Sequence, residues 1–96
     1  MKLHSSFVKS IKPGLKSIKY FDGRGLFLLV NPNGSKYWRF KYRFKGKEQL
    51  LSLGVYPDIG LARARKLRND LRKQVANKID PSAKRKKDTI LFNNSR

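Results

Sequence analysis

Cysteine is absent from the 96 residues, and histidine occurs once, as His4. There is therefore no disulfide framework, no thiolate chemistry and no cysteine zinc site, and almost no material for a histidine-based active site. Acidic residues are scarce: six Asp and Glu stand against 24 Lys and Arg. No pair of carboxylates, no Ser/His/Asp set and no glycine-rich phosphate cradle is available. The chain is thus expected to be no enzyme and to require no metal or cofactor. Long apolar runs are missing too. The longest, Leu26–Val30, is strand-sized, far short of the roughly 18–20 residues of a membrane span. The start, Met1-Lys2-Leu3-His4-Ser5-Ser6, lacks the apolar stretch of a secretory signal. These absences suit a cytoplasmic protein without a membrane partner.

What is present in excess is positive charge, a formal +18. Self-repulsion on that scale opposes compaction. A polyanion explains it directly, because each neutralised phosphate releases condensed counterions. Nucleic acid is the first candidate, ahead of an anionic membrane surface or a merely basic domain. The chain is 39% hydrophobic and 11% aromatic, enough for one small core and too much for a disordered basic tail.

Turn residues divide the first half. Pro13-Gly14 closes a short segment, and Asp22-Gly23-Arg24-Gly25, Asn31-Pro32-Asn33-Gly34-Ser35 and Lys45-Gly46 separate four strand-length runs. The runs are Lys16–Phe21, Gly25–Val30, Lys36–Phe44 and Lys47–Leu53. Their short connections demand antiparallel pairing. In the third run Trp38, Phe40, Tyr42 and Phe44 share one face while Arg39, Lys41 and Arg43 share the other. Leu26, Leu28, Val30, Leu51 and Leu53 complete the apolar face.

From Leu61 the period changes. Leu61, Ala64, Leu67, Leu71, Val75 and Ile79 form the stripe of an amphipathic helix. Gly60 is its expected N-cap and Asp80-Pro81 its stop. Arg63, Lys66 and Lys73 line its exposed side with Asp70 the lone acid. Arg65 lies at the stripe's border, placed to bridge helix and sheet. Arg68 falls inside the stripe, where its stem would pack and its guanidinium reach an edge. Leu3, Phe7, Val8 and Ile11 suggest a short leading helix capped by His4 or Ser5. The expected fold is α+β: a short N-terminal helix, a meander of three to four strands, and one C-terminal helix packed on the sheet. Residues 1–82 form the domain. Residues 83–96, which include Lys84-Arg85-Lys86-Lys87, are expected to be a basic linker or tail without fixed structure.

The candidate interface is the open sheet face carrying Arg39, Lys41 and Arg43, with Lys36, Lys45 and Lys47 at the strand ends. B-DNA's major groove, about 12 Å wide, admits a β-ribbon, and Arg can donate two hydrogen bonds to guanine O6 and N7. Lys serves phosphates as a point charge. The same alternation would also serve plain solubility. The aromatic face could stack unpaired bases, but one face must be the core and the aromatic one is the better core. Asp22, Asp58 and Asp80 each adjoin Gly or Pro and are expected to serve turns and caps.

These strings also resemble a known family. Phe21-Asp22-Gly23-Arg24-Gly25-Leu26-Phe27-Leu28-Leu29-Val30, then Gly34-Ser35-Lys36-Tyr37-Trp38-Arg39-Phe40-Lys41-Tyr42-Arg43-Phe44, resembles the N-terminal arm-type DNA-binding domain of phage-type tyrosine recombinases, the integrases. Leu51-Ser52-Leu53-Gly54-Val55-Tyr56-Pro57, Leu61-Ala62-Arg63-Ala64-Arg65 and Ile79-Asp80-Pro81 follow in the right order. The resemblance implies a helix–sheet–helix module whose sheet enters the major groove at arm-type sites flanking a recombination core. It further implies recombinase partners in a larger nucleoprotein complex. Catalysis in the family's larger members uses a tyrosine with an Arg/His/Lys set, which these residues cannot supply. Tyr20, Tyr37, Tyr42 and Tyr56 all lie inside the matched module. Gly60 stands where the family has Ser, and Arg68 and Leu71 where small residues are common. Lys78 stands where the family has Gly, so the helix end lacks a relaxed left-handed residue unless Asn77 takes that role.

The expected function is sequence-preferring binding of double-stranded DNA in support of DNA integration and recombination. Double-stranded RNA or ribosome binding is the alternative, since a helix–meander–helix also suits shape-reading RNA domains. A protein- or membrane-surface module using the basic helix is a third.

Overall fold

Left-handed turn residues shape the sheet. The computed structural model describes residues 2–83, and in it Gly23, Arg24 and Gly25 all take positive φ, as do Lys45 and Gly46. The first set closes β1 (Ile18–Gly23) onto β2 (Leu26–Val30), and the second closes β3 (Lys36–Phe44) onto β4 (Lys47–Tyr56). A five-residue turn, with Asn31 and Ser35 hydrogen-bonded at 2.9 Å, joins β2 to β3. The four strands form one antiparallel meander in the order β1-β2-β3-β4. Helix α1 (Ser5–Ser10) precedes the sheet and α2 (Leu61–Ala76) follows it. The fold is α+β.

β1 begins at Ile18 rather than Lys16, and β4 runs on to Tyr56 instead of stopping at Leu53. Gly54 reads as a terminator, yet it sustains the strand. Trp38 pairs with Gly54 and Arg39 with Ser52, leaving Leu53 as the extra residue of a bulge. Gly54 has φ 141°, and a Cβ there would lie 2.5 Å from Ile59 Cγ1. The glycine thus lets the approach to α2 close onto the sheet. β2 pairs with β3 only as far as Leu26↔Phe40, whereas β3 and β4 continue to Phe44↔Lys47. The β3–β4 hairpin therefore projects alone by about 13 Å.

The helices cover one sheet face. Leu26, Leu28, Val30 and Trp38 pack with Leu3, Val8, Ile11, Leu61 and Ala64. Phe40, Tyr42 and Leu51 pack with Leu71 and Val75 farther along α2. The Trp38 indole donates to the Ile59 carbonyl at 2.6 Å. His4 stands at the N-cap of α1 without a side-chain cap bond. Phe7 is largely exposed, its ring meeting Tyr20 edge-on. The end of α2 differs from expectation at one residue. Lys78, not Asn77, adopts the left-handed conformation, at φ 61°. The Ile79 amide bonds Gln74 O and the Lys78 amide bonds Val75 O, the paired bonds of a Schellman ending. Ile79 therefore falls beyond the helix and is partly exposed.

Asp22 corrects a second expectation. It is not a turn or cap residue: it is 3% exposed and anchors the helix to the sheet. Parity places it with Tyr20 on the covered face, where α2 presents two guanidinium groups. Arg65 donates to both carboxylate oxygens at 2.8 and 3.0 Å, and Arg68 donates at 2.8 Å. The Leu3 amide adds a bond at 2.8 Å. Arg68 therefore points inward to a buried partner and away from the solvent edge. Burial alone would raise the Asp22 pKa. The Arg65 hydrogen bond, the Leu3 amide and the guanidinium charges outweigh it and hold the carboxyl below its ordinary value. Asp80, by contrast, receives the Tyr42 hydroxyl at 2.5 Å, next to Ser82. The expected basic tail falls outside the described residues except for Ala83.

Candidate nucleic-acid interface

Strand alternation leaves the second sheet face without a helix, and β3 sets Arg39, Lys41 and Arg43 along it. Arg39 crosses from Ser52, Lys41 from Leu50 and Arg43 from Glu48. Lys19 of β1 joins them from the far edge. The Arg39 guanidinium lies 5.9 Å from the Tyr37 ring centroid, and its Nε is buried without a hydrogen-bond partner. The side chain is thus propped on an aromatic ring (cation–π and packing together) with its outer donors at the surface.

Lys41 is less free than its sequence neighbours suggest. Its ammonium lies 2.6 Å from the Glu48 carboxylate, each side chain about half exposed at 51%. Such a surface pair contributes about 0–1 kcal/mol, so a phosphate can displace the carboxylate at low cost. Glu48, the one glutamate of the chain, arrives through the tight β3–β4 turn.

The strand-end lysines divide. Lys36 shares parity with Trp38 and sits on the covered face, where it donates to the Val8 carbonyl at 2.8 Å and lies 5.4 Å from the Tyr56 ring. It is not brought together with Arg39, Lys41 and Arg43. Lys45 occupies the hairpin tip, 5.6 Å from the Phe44 ring. Lys47 is exposed opposite Phe44. Both stand at the end of the projecting ribbon, Lys47 by its pairing with Phe44 on the parity of the covered face rather than that of Arg43.

The open face is more apolar than the alternation of β3 implies. Phe27 points to it and yet is only 1% exposed. Phe21 tilts against it at 5.3 Å, and the Lys19 ammonium lies 5.4 Å from its ring. Phe21 itself is 52% exposed and Leu50 50%. Together with Lys19, Lys41, Glu48 and Gln49 these side chains line a recess of about 380 Å³. The signal for this was β2, Leu26-Phe27-Leu28-Leu29-Val30, which is apolar at every position. That is the pattern of a strand covered on both faces.

On the helix side, Arg24, Asn69, Arg72, Lys73 and Ala76 border a shallower recess of about 440 Å³. Among the described residues, Arg24, Arg72 and Lys73 form no ion pair. No described group of three His, Cys, Asp or Glu side chains could hold a metal ion. No described helix is long and apolar enough to cross a membrane.

Residues 3–88 match the family model of the arm DNA-binding domain. The integrase of enterobacteria phage P4 is 44% identical over 88 residues, spanning 90% of this chain and 20% of that protein. The prophage integrase IntZ of Escherichia coli (strain K12) is 42% identical over 91 residues, 93% of this chain and 23% of its own length. The IntB protein of the same strain is 55% identical over 65 residues, 68% of this chain and 16% of its own. The chain thus spans less than a quarter of the length of these relatives.

Proposed function

The chain belongs to the arm DNA-binding domain family, a non-catalytic DNA-binding module of integrases, and from that premise we propose that it lays the open face of its sheet in the major groove of double-stranded DNA and binds with sequence preference. The observation carrying this reading is the row of Arg39, Lys41 and Arg43 on a sheet whose opposite face is sealed by α1 and α2. The projecting β3–β4 ribbon leads into a groove about 12 Å wide, and the open face behind it, with Arg39, follows. Arg39, propped on Tyr37, and Arg43 are the base readers, each able to donate twice to guanine. Lys41 exchanges Glu48 for a phosphate, and Lys45 and Lys47 hold phosphates at the ribbon tip. Lys36, engaged with Val8 O on the covered face, is assigned to seating α1 rather than to the duplex.

The module takes no part in bond breaking or joining. Its contribution to integration is affinity for arm-type sites. Within a larger recombinase assembly in the cytoplasm, it raises the local concentration of the catalytic machinery near DNA held at a second site.

Selection of bound duplexes from a random pool, followed by titration across salt, tests the reading. With one phosphate neutralised by each of Lys41, Lys45 and Lys47, log K falls against log salt with a slope of about −3. A slope shallower than about −2 would show that the footprint is too small. Arg43→Ala should relax preference at one base pair at a cost of about 1–3 kcal/mol. Uniform weakening across all sequences would make Arg43 a phosphate anchor only. Matched DNA and RNA duplexes in competition address the RNA alternative. A-form RNA has a major groove too deep and narrow for this ribbon, so DNA should win.

A further inference from the structure

The cations of the open face do not account for the apolar recess between them. Phe21 and Leu50 are each about half exposed at strand positions, where a bare hydrophobic surface invites unwanted pairing and aggregation. Nor is the patch loose. Phe27 forms a fixed, nearly inaccessible floor, and Phe21 is braced against it at 5.3 Å. Lys19, Lys41, Glu48 and Gln49 ring the recess, the carboxylate paired with Lys41, with Arg39 on the strand between. An apolar floor within a cationic rim fits a polyanion that displays small apolar groups between its charges.

Duplex DNA has one such group. In the major groove every base-pair edge presents hydrogen-bonding atoms, and the C5-methyl of thymine is the one methyl displayed there. We infer that Phe21 and Leu50, seated around Phe27, form a thymine-reading site that takes the C5-methyl groups of A·T pairs next to the guanines contacted by Arg39 and Arg43. This rests on the major-groove reading above and adds a second specificity element. Arginine selects guanine by paired donors, whereas the recess selects thymine by burying a methyl. Each element rejects what the other accepts, since a cytosine edge offers the recess no methyl and a thymine offers the arginine no paired acceptors.

The test uses the tightest duplex from the selection, with each thymine replaced singly by deoxyuridine. That exchange removes the methyl and keeps every hydrogen-bonding atom of the base. Wild type should lose about fourfold in affinity at each position whose methyl is buried, the equivalent of one apolar carbon withdrawn from water. Phe21→Ala and Leu50→Ala should each bind the thymine and deoxyuridine duplexes with more nearly equal affinity. Both side chains are half exposed, so the variants should keep the wild-type circular dichroism. If one fails to, the other carries the comparison. Undiminished discrimination in a folded variant would place the methyl contact elsewhere and overturn the inference. Retained sequence preference with no thymine–deoxyuridine difference anywhere would overturn it while leaving the major-groove reading intact. Failure of wild type to bind any duplex would remove that reading itself.

Discussion

Asp22 shows how one carboxylate can govern a strongly cationic fold. Two arginines of α2 that would otherwise repel each other are held by its two oxygens. Removing one partner of such a buried set leaves charge uncompensated, so Asp22→Asn should destabilise the domain by about 3–5 kcal/mol in denaturant unfolding. The pH dependence has a definite sign. Because the folded-state pKa lies below the ordinary value, the contribution is complete above about pH 4 and is lost as pH falls through the lower folded value. Wild type should therefore lose stability in that acid window, and the Asn variant should show a shallower slope there. Arg65 was legible as a bridge from helix to sheet, but its partner Asp22, expected to serve a turn or cap, was not. Arg68 interrupts the helical stripe, which marks it as unusual, but its partner lies 46 positions away, and local periodicity cannot see that far. Lys36, expected at the interface, lies on the covered face instead; its even number, shared with Trp38, was the signal passed over.

At the scale of elements, tight turns made the meander readable, because few arrangements of strands fit two-residue connections. The alternation of β3 likewise identified which face holds Trp38, Phe40 and Tyr42. What escaped was the continuation of β4 past Gly54 and the second apolar surface under Phe21, since both depend on contacts made across strands. The segment after α2 was readable only in part. Asp80-Pro81 marks the end, but the bond from the Tyr42 hydroxyl to Asp80 joins positions 38 apart. That contact gives Tyr42 a structural task. Burial, then the Asp80 carboxylate, pushes its pKa above the ordinary tyrosine value. The anchor is thus intact below about pH 10 and is lost as pH rises through the higher folded value. Tyr42→Phe should cost about 1–2 kcal/mol. It should also speed hydrogen exchange at the Ser82 amide, which is shared between the hydroxyl at 3.2 Å and the Asp80 carboxylate that the hydroxyl holds, at 3.1 Å, while leaving the exchange of central β2 and β3 amides slow. Equal acceleration throughout the sheet would mean that the tyrosine supports the core as a whole.

At the scale of the molecule, two surfaces that gather positive charge have different surroundings. On the open face Arg39 is set against the Tyr37 ring, and Lys41 has one weak internal competitor in Glu48. Arg24, Arg72 and Lys73 border an open recess on the helix side. In the proposed division of labour the sheet cations read bases, and the helix-side cations serve simple attraction. The ion-pair hub has a consequence for how the protein is made. Its contributors are Leu3, Asp22, Arg65 and Arg68, so the knot cannot be tied until Arg68 has left the ribosome. The strands emerge first, with a lone carboxylate on a greasy surface and nothing to shelter it. A nascent chain halted after Gly60 should therefore remain open to protease, and one extended through α2 should become resistant in a single step.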